Sequence, residues 1–420
     1  MNQSGQNSTC SLDLINSGFV GWLTTEETKA LAAFKATLAE KSVDCPNDQE
    51  SLRFLRARKF VTDDAVVMYI KYRNWYLENR IYRYPEEFPS KARALGELVP
   101  SAFAGFDREG HPVQIERTGK IDVPTILSAV SGSAMLEAFI WGQQLQIRRC
   151  EESTARLGLP PHSIERFTQV MDLEGLSTQH LQLAQFLQPI TKCGEANFPE
   201  RLSKTIIINY GWVFSMLWAV VKLTLDPVTR EKIIVCPSFE ELHKYIDPAQ
   251  LPKRYGGTQE DLPALADPDV EALRAKYLND ELYKDHYEDI TVESGSNFVK
   301  QVQIDGTTQW SYCFRCSEEV KFKAVFVPLG SESDEDHVTV SVEAKVEAQK
   351  WPVLGSFTSS NGKSGFLKFT WQNDNWWGAK KIKFAALPNL RDDLPESEIV
   401  SRVLDGKVGP DDANTNPEAK

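Results

Sequence analysis

The sequence lacks the features that mark several classes of protein. No uninterrupted run of about 20 apolar residues, the length of a membrane-spanning helix, occurs in its 420 residues. The N-terminus has neither the basic stretch nor the apolar stretch of a signal peptide. Cysteine is sparse: seven residues, an odd number, are spread along the chain, which favours reduced cytosolic thiols over a secreted disulfide framework.

Positive charge is also in deficit. The chain has 47 Lys and Arg against 59 Asp and Glu, a formal charge of −12. Its average field therefore disfavours nucleic acid as a partner, and any anionic ligand must be met by a local basic patch. The apolar share of 41% and charged share of 25% are ordinary for a globular protein, and the length predicts two or three domains.

Motifs for covalent chemistry are missing. Cys313 and Cys316 form a single CxxC without the second pair of a zinc ribbon, which favours plain strand residues over a redox or metal site. Asp172 and Glu174 follow a predicted strand, where paired catalytic acids occur, but no nucleophile or metal ligand stands beside them. We predict that the chain is not an enzyme and uses no catalytic residue, metal or cofactor.

Hydrophobic periodicity divides the chain into five segments. The first reads as amphipathic helices, and the second as short apolar strands alternating with helices, one of them over Thr178–Thr191. A charged helical connector, a run of alternating strands with turn signals typical of an antiparallel β-sandwich, and an acidic, disordered tail complete the chain. The predicted segments are residues 20–95, 96–258, 259–289, 290–388 and 389–420.

One segment, residues 206–221, is unusually apolar. Asn209 and Gly211 interrupt it, so it reads as a short strand, a turn and a helix over Trp212–Leu223. A buried core helix is one explanation of this composition, and a helix that faces lipid is another.

Five short blocks carry a resemblance to a known family. They are SLRFLRARKF at 51–60, VMDLEG at 170–175, FPERL at 198–202, LDPVTREKI at 225–233 and LPKRYGG at 251–257. In this order they resemble the CRAL-TRIO family of lipid-binding and lipid-transfer proteins, over residues 25–257. The basic block alone is equally typical of a solvated helix end.

The resemblance implies an architecture. It implies a small helical cap, an α/β lobe whose sheet floors a long apolar pocket, and a mobile gate helix over the mouth of that pocket. The β-rich segment 290–388 resembles the GOLD module that follows this domain in the branch including supernatant protein factor and tocopherol-associated protein. The expected fold class is therefore multidomain α/β plus β.

The resemblance also implies binding residues, by matching positions in the blocks. Members that hold phosphatidylinositol meet its headgroup at positions that here are Arg58, Lys59, Glu200, Thr229 and Lys232. The gate helix and its pocket would comprise Trp212, Phe214, Met216, Leu217, Trp218 and Val221. The positions of the phosphatidylcholine contacts fall on Phe103, Gln114, Phe167 and Gln169. Only the two Gln keep polar character there, which favours another apolar second ligand.

The expected function is binding and transfer between membranes of phosphatidylinositol, of another apolar lipid, or of both, by a cytosolic protein that touches membranes transiently. The alternative is a lipid-sensing adaptor whose GOLD module recruits a trafficking or signalling protein. Within that module Trp376 and Trp377 are adjacent. On a strand they would face opposite ways, so we expect one of them to be exposed.

Overall fold

The computed structural model describes residues 18–84, 86, 93–130, 132–223, 227–306, 308, 310–331, 337–346, 348–357, 359 and 363–388. The predicted acidic tail, 389–420, lies outside the described residues. The chain divides into two compact units. The first comprises Met1–Ile126 and Glu137–Leu273, and the second comprises Leu127–Leu136 and Arg274–Lys420.

Three helices open the first unit, and they confirm the predicted helical N-terminus. They are α1 (Thr25–Glu40), α2 (Asp48–Ala57) and α3 (Thr62–Glu78). Thr24 and Glu27 form a reciprocal capping box at the start of α1, and the Asn47 side chain caps α2. The apolar faces share one core, which includes Leu31, Phe34, Leu38, Leu52, Phe54, Leu55, Ala65, Met68 and Tyr69.

The rest of the first unit is built on a five-stranded sheet, as the predicted α/β lobe requires. Its strands, in spatial order, are β1 (Ser101–Phe106), β2 (Pro112–Glu116), β3 (Phe167–Asp172), β4 (Leu202–Ile208) and β5 (Ile233–Val235). β2 to β5 run parallel, and β1 is an antiparallel edge strand that the sequence reading missed. The helices are α4 (Arg93–Leu98), α5 (Val123–Ala129), α6 (Gly132–Arg156), α7 (Leu187–Asn197), α8 (Trp212–Val221), α9 (Pro227–Glu231) and α10 (Phe239–Leu242).

The expected helix over Thr178–Thr191 was wrong in type. The chain forms a 3₁₀-helix over Thr178–Phe186, and α7 begins only at Leu187. Pro189 gives the reason. Inside a continuous α-helix its ring would clash with the carbonyl four residues back, whereas in the first turn of α7 its missing N–H costs nothing.

The second unit contains two four-stranded antiparallel sheets, preceded by α11 (Val270–Tyr277) and a 3₁₀-helix over Glu281–His286. One sheet has the order β10 (Val338–Val346), β9 (Val320–Pro328), β12 (Gly365–Gln372), β7 (Asn297–Ile304). The other has the order β11 (Val353–Phe357), β8 (Trp310–Cys316), β13 (Lys380–Pro388), β6 (Glu288–Val292). Their buried faces share one aromatic core, including Phe314, Phe322, Phe369, Trp371 and Phe384.

The expectation for the adjacent tryptophans was wrong in placing them on a strand, whereas the expected exposure is observed, and for both of them. Trp376 and Trp377 lie in the loop between β12 and β13, not on a strand, so strand alternation does not apply to them. Their side chains are 90% and 80% exposed.

Membrane-spanning potential is limited. No single helix in the described ranges is long and apolar enough to cross a membrane, and one bent pair, Val123–Ala129 with Ala134–Arg156, meets that test by length and composition only.

Candidate functional site

The two faces of the five-stranded sheet are unequal. On one face Val113, Ile115, Val170 and Ile206 are fully buried against a closed apolar core. On the other face the central positions of β1, β2 and β3 are only half-buried. Incomplete burial on one face of a parallel sheet is unusual, because helices normally bury both sides. The half-buried face is therefore the candidate ligand-binding floor.

A row of side chains crosses this floor in register. Phe103 on β1 pairs with Gln114 on β2, Gln114 pairs with Gln169 on β3, and Gln169 pairs with Thr205 on β4. Register partners in adjacent strands point to the same face, so the structure brings three of the four expected second-ligand residues together. Phe167 is the fourth and differs. It lies two residues before Gln169 on β3 and is buried with Cys150 and Ile164.

Helix α6 adds amide groups to this floor. The Gln146 amide Nε2 donates to Gln114 Oε1 at 2.6 Å. Gln146 Oε1 is buried and has no hydrogen-bond partner among the described residues. A buried polar atom without a partner costs free energy, so water or a ligand group is needed to satisfy this acceptor.

Helix α8 presents apolar side chains to solvent. Trp212 is 72% exposed and Met216 is 45% exposed, whereas Val213 is buried. The rings of Phe214 and Trp218 stack at 6.1 Å on the half-buried side of the helix. The side chains of the two other expected gate residues, Leu217 and Val221, lie outside the described residues. A helix of this composition with two exposed apolar residues differs from an ordinary buried core helix.

A cluster of charges surrounds Glu200. Its carboxylate Oε2 lies 3.1 Å from Arg166 Nη2 and 3.7 Å from Lys232 Nζ. The structure thus brings together two of the five expected headgroup residues. Two cations therefore lie beside one carboxylate in a chain whose net charge is negative. All three side chains are partly accessible, at 15–20% exposure.

The other expected headgroup residues are placed differently. Arg58 and Lys59 follow α2, and both are exposed. The Arg58 guanidinium donates to the carbonyl of Ala57, and no contact of either residue with Glu200 is observed within the described part of the chain. The side chain of Thr229 lies outside the described residues.

Sequence reasoning missed the contacts that organise this region. Arg166, one residue before β3, contacts Glu200, and its guanidinium lies over the Phe19 ring at 4.9 Å. Arg56 lies over the same ring at 4.0 Å and pairs with Glu165 at 2.5 Å. Arg56 belongs to the basic block at 51–60, so the sequence motif included this residue. Phe19 and Arg166 carry no sequence signal, because only the fold brings them together.

A buried arginine links the basic block to the turn that carries Glu200. Arg53 is 2% exposed, and its Nη1 donates to the carbonyl of Pro199 at 3.1 Å. Burial lowers the pKa of Arg53 to about 10, so the guanidinium still carries its charge at neutral pH. Glu50 supplies a partner carboxylate at 3.1 Å. Arg53 is therefore a positioning residue for Glu200, whose backbone is held at a φ of 58°.

Asp172, the possible catalytic acid, is a structural residue. Its carboxylate accepts from Arg117 at 3.3 Å, Tyr255 at 3.1 Å and Asn209 at 2.8 Å. The bond from Tyr255 joins the block at 170–175 to the block at 251–257. In that last block a Cβ at Gly257 would lie 1.9 Å from the carbonyl oxygen of Leu251, so no larger residue fits there.

Comparisons with known proteins agree with this architecture. The family model described as CRAL/TRIO domain matches residues 99–257. A CRAL-TRIO domain-containing protein of Saccharomyces cerevisiae is 32% identical over 57% of this chain and 81% of its own length. The SEC14 cytosolic factor of Yarrowia lipolytica is 31% identical over 57% of this chain, and that match spans about half, 49%, of the relative's length.

A third relative comes from a plant. A phosphatidylinositol/phosphatidylcholine transfer protein of Arabidopsis thaliana is 32% identical over 55% of this chain and 41% of its own length. This chain matches the CRAL/TRIO family model and covers most of the Saccharomyces cerevisiae relative. It therefore belongs to the CRAL-TRIO family.

Proposed function

We propose that this chain binds a membrane lipid in its first unit and carries it between membranes, without changing the lipid chemically. The names of two relatives, a SEC14 cytosolic factor and a phosphatidylinositol/phosphatidylcholine transfer protein, support this proposal. The same names support a cytosolic location with transient contact to membranes. The observation that carries the proposal is α8, a helix with Trp212 and Met216 exposed to solvent.

The energetics of transfer explain why such a helix is useful. Each CH₂ group moved from hydrocarbon into water costs about 0.8 kcal/mol, so a 16-carbon chain costs roughly 13 kcal/mol. A carrier must offer a comparable apolar surface while it touches the bilayer. The half-buried sheet face would supply that surface, and α8 would act as the gate that opens against the membrane.

We propose phosphatidylinositol as the anionic ligand. Its phosphate and hydroxyl groups would be met by the residues that the family resemblance names: Arg58, Lys59, Glu200, Thr229 and Lys232. The cluster of Glu200, Lys232 and Arg166 supports this assignment, because two cations suit a phosphate and the carboxylate can accept from an inositol hydroxyl. Arg166 joins the set as a residue that orients Glu200.

A second, neutral ligand would lie on the row of Phe103, Gln114 and Gln169. The unpartnered acceptor Gln146 Oε1 favours a neutral lipid with a hydroxyl group. We further propose that the second unit, within residues 290–388, is a GOLD-like module. Its two antiparallel sheets with a common aromatic core support this reading.

Vesicle-to-vesicle transfer of phosphatidylinositol by the purified chain tests the proposal. Replacing Met216 by Asp places a charge on the exposed side of α8, and the charge must enter the bilayer when the gate docks. A charged side chain at membrane depth costs about 2.5–3.5 kcal/mol, so we expect transfer to slow by about 50-fold or more. Lipid already bound in the pocket should stay bound, because Met216 faces solvent.

The matched control is Val67→Asp. Val67 is 53% exposed on α3, so the same charge is added to an apolar surface position away from the gate. We expect this variant to transfer lipid at the original rate. Equal rates for both variants would exclude α8 as the docking surface, and failure of the original protein to transfer any phospholipid would contradict the proposed function itself.

A further inference from the structure

The loop between β12 and β13 projects two indoles into solvent. Trp376 and Trp377 are the most exposed tryptophans among the described residues, at 90% and 80%. Their neighbours Asp374, Asn375 and Gly378 are also exposed. Large aromatic side chains normally bury most of their surface, so a pair left in water marks an interaction surface. We call residues 373–379 the tryptophan loop.

The base of this loop is fixed from within. The side chain of Asn373 is fully buried, and its Nδ2 donates to the carbonyls of Gly378 at 2.9 Å and Val292 at 3.1 Å. Its Oδ1 accepts from the backbone N–H of Asn375 at 3.1 Å. One amide thus closes the loop on itself and ties it to β6.

The neighbouring turn between β6 and β7 adds two more bonds. Ser294 Oγ and the Gly295 N–H both donate to the carbonyl of Asn375, at 2.6 and 3.0 Å. The indoles are therefore held outward by a preformed loop. A preformed binding element loses little conformational entropy when it docks, which improves affinity without new contacts.

The tryptophan loop contains one charged residue, Asp374, which pairs with Lys321 at 2.8 Å. Two lysines follow the loop on β13. Lys381 donates to the Thr291 hydroxyl at 3.1 Å, and the buried Lys380 donates to the carbonyl of Glu319. Both acceptors are neutral, so the two lysines keep their positive charge beside the indoles.

We propose that the tryptophan loop is a membrane-docking element that inserts Trp376 and Trp377 into the headgroup region of a bilayer. Tryptophan prefers that region, because its ring is apolar and its N–H can still bond to water or headgroups. A bilayer is favoured over a protein partner by the surroundings of the pair. Lys381, exposed at the end of the loop and bonded only to a neutral hydroxyl among its described contacts, can meet the lipid phosphates that lie at the depth tryptophan prefers.

This inference concerns the second unit and is independent of the transfer function proposed for the first. The test uses the full chain with Met216→Asp already in place, so that α8 does not contribute. Its partitioning onto vesicles of phosphatidylcholine alone is measured by flotation, and insertion is measured by quenching of tryptophan fluorescence with brominated phosphatidylcholine.

We expect the Met216→Asp chain to bind these neutral vesicles, and the added double substitution Trp376→Ala with Trp377→Ala to weaken binding by at least about tenfold. Both indoles are exposed, so the fold should survive their removal. Asn373→Ala keeps both indoles and removes the side-chain hydrogen bonds that hold the tryptophan loop in place. It should weaken binding by a smaller factor.

Trp22→Ala is the matched control, because Trp22 is 51% exposed in the first unit. It should leave binding unchanged. The proposal is overturned if the Met216→Asp chain does not bind neutral vesicles, if the double variant binds as well as its parent, or if Trp22→Ala causes the same loss. In the first two cases the tryptophan pair would instead serve a protein partner.

Discussion

At the scale of single residues, the headgroup role proposed for Lys232 leads to a direct prediction. Its ammonium lies 3.7 Å from Glu200, where a phosphate would gain a charge-assisted hydrogen bond. Such bonds are worth about 1.5–3 kcal/mol, so Lys232→Ala should weaken phosphatidylinositol binding by about 10- to 150-fold. A neutral apolar ligand forms no charge-assisted hydrogen bond with the Lys232 ammonium, so it should bind nearly as before. Equilibrium partitioning of each lipid between vesicles and protein measures both effects.

The control for this substitution is Lys253→Ala. Lys253 is an exposed lysine of the same unit, paired with the exposed Glu260, and such pairs contribute little. If Lys232→Ala weakened both ligands equally, general damage to the lobe would explain the loss, and the headgroup assignment would have to be abandoned.

At the scale of elements, hydrophobic period and capping signals predicted most of the first unit. The apolar face of α1, formed by Leu31, Phe34 and Leu38, is a local feature, and its spacing predicted the helix that the structure shows. The turn signals Asp305-Gly306 and Asn373-Asp374 likewise predicted the breaks between β7 and β8 and between β12 and β13. Errors arose where one local pattern is compatible with two structures. Around Pro189 the apolar spacing fits either one long helix or two shorter ones, and proline is tolerated in the first turn of α7 but not in the middle of a longer α-helix.

The candidate site was less predictable than the elements, because it depends on contacts between distant segments. The in-register row of Phe103, Gln114 and Gln169 follows from strand pairing, which no single sequence determines. The guanidinium of Arg166 beside Phe19 and Glu200 is a contact of the same kind. Family motifs named positions in this region, but they could not name the partners that orient them.

One element of the second unit should respond to acid. Asp280, before the 3₁₀-helix, is buried and receives two hydrogen bonds from Arg315 on β8, at 2.5 and 3.0 Å. The bonds from Arg315 lower the pKa of Asp280 below its ordinary value of 3.8, against the opposing effect of burial. A carboxyl whose pKa is lower in the folded chain stabilises the fold above its unfolded value, and that stability is lost as pH falls through the folded value.

We therefore expect Asp280→Asn to lower the free energy of unfolding by about 1.5–3 kcal/mol at pH 7, and by progressively less below pH 3.8. Urea unfolding at several pH values measures this difference. Glu281→Gln is the control, because Glu281 is the exposed neighbour and pairs only with Lys284 among the described contacts of its side chain. A loss for Asp280→Asn that does not change with pH would show that the carboxylate charge is not the cause.

At the scale of the whole molecule, the charge of −12 bears on the proposed contact with membranes. The average field repels an anionic bilayer, so the proposed docking would rest on apolar side chains such as Trp212 and on the local cations near Glu200. Apolar docking is little affected by salt, whereas attraction through exposed charges is screened beyond about 4 Å at roughly 0.5 M salt. Docking of this kind would suit the proposed carrier, which must leave each membrane that it visits.

The two units have separate hydrophobic cores, and their stabilities should respond to different changes. A ligand present at 100 times its dissociation constant stabilises the unit that binds it by about 2.7 kcal/mol. Removal of bound lipid should therefore lower the unfolding temperature of the first unit alone.

Phe384 is 1% exposed in the aromatic core of the second unit. Phe384→Ala should lower the unfolding temperature of that unit, because it reduces the free energy of unfolding by about 3–5 kcal/mol. Calorimetry of the full chain, with and without lipid, should show two transitions that shift one at a time. One transition that moves under both changes would mean that the units unfold cooperatively, and lipid occupancy would then stabilise the whole chain.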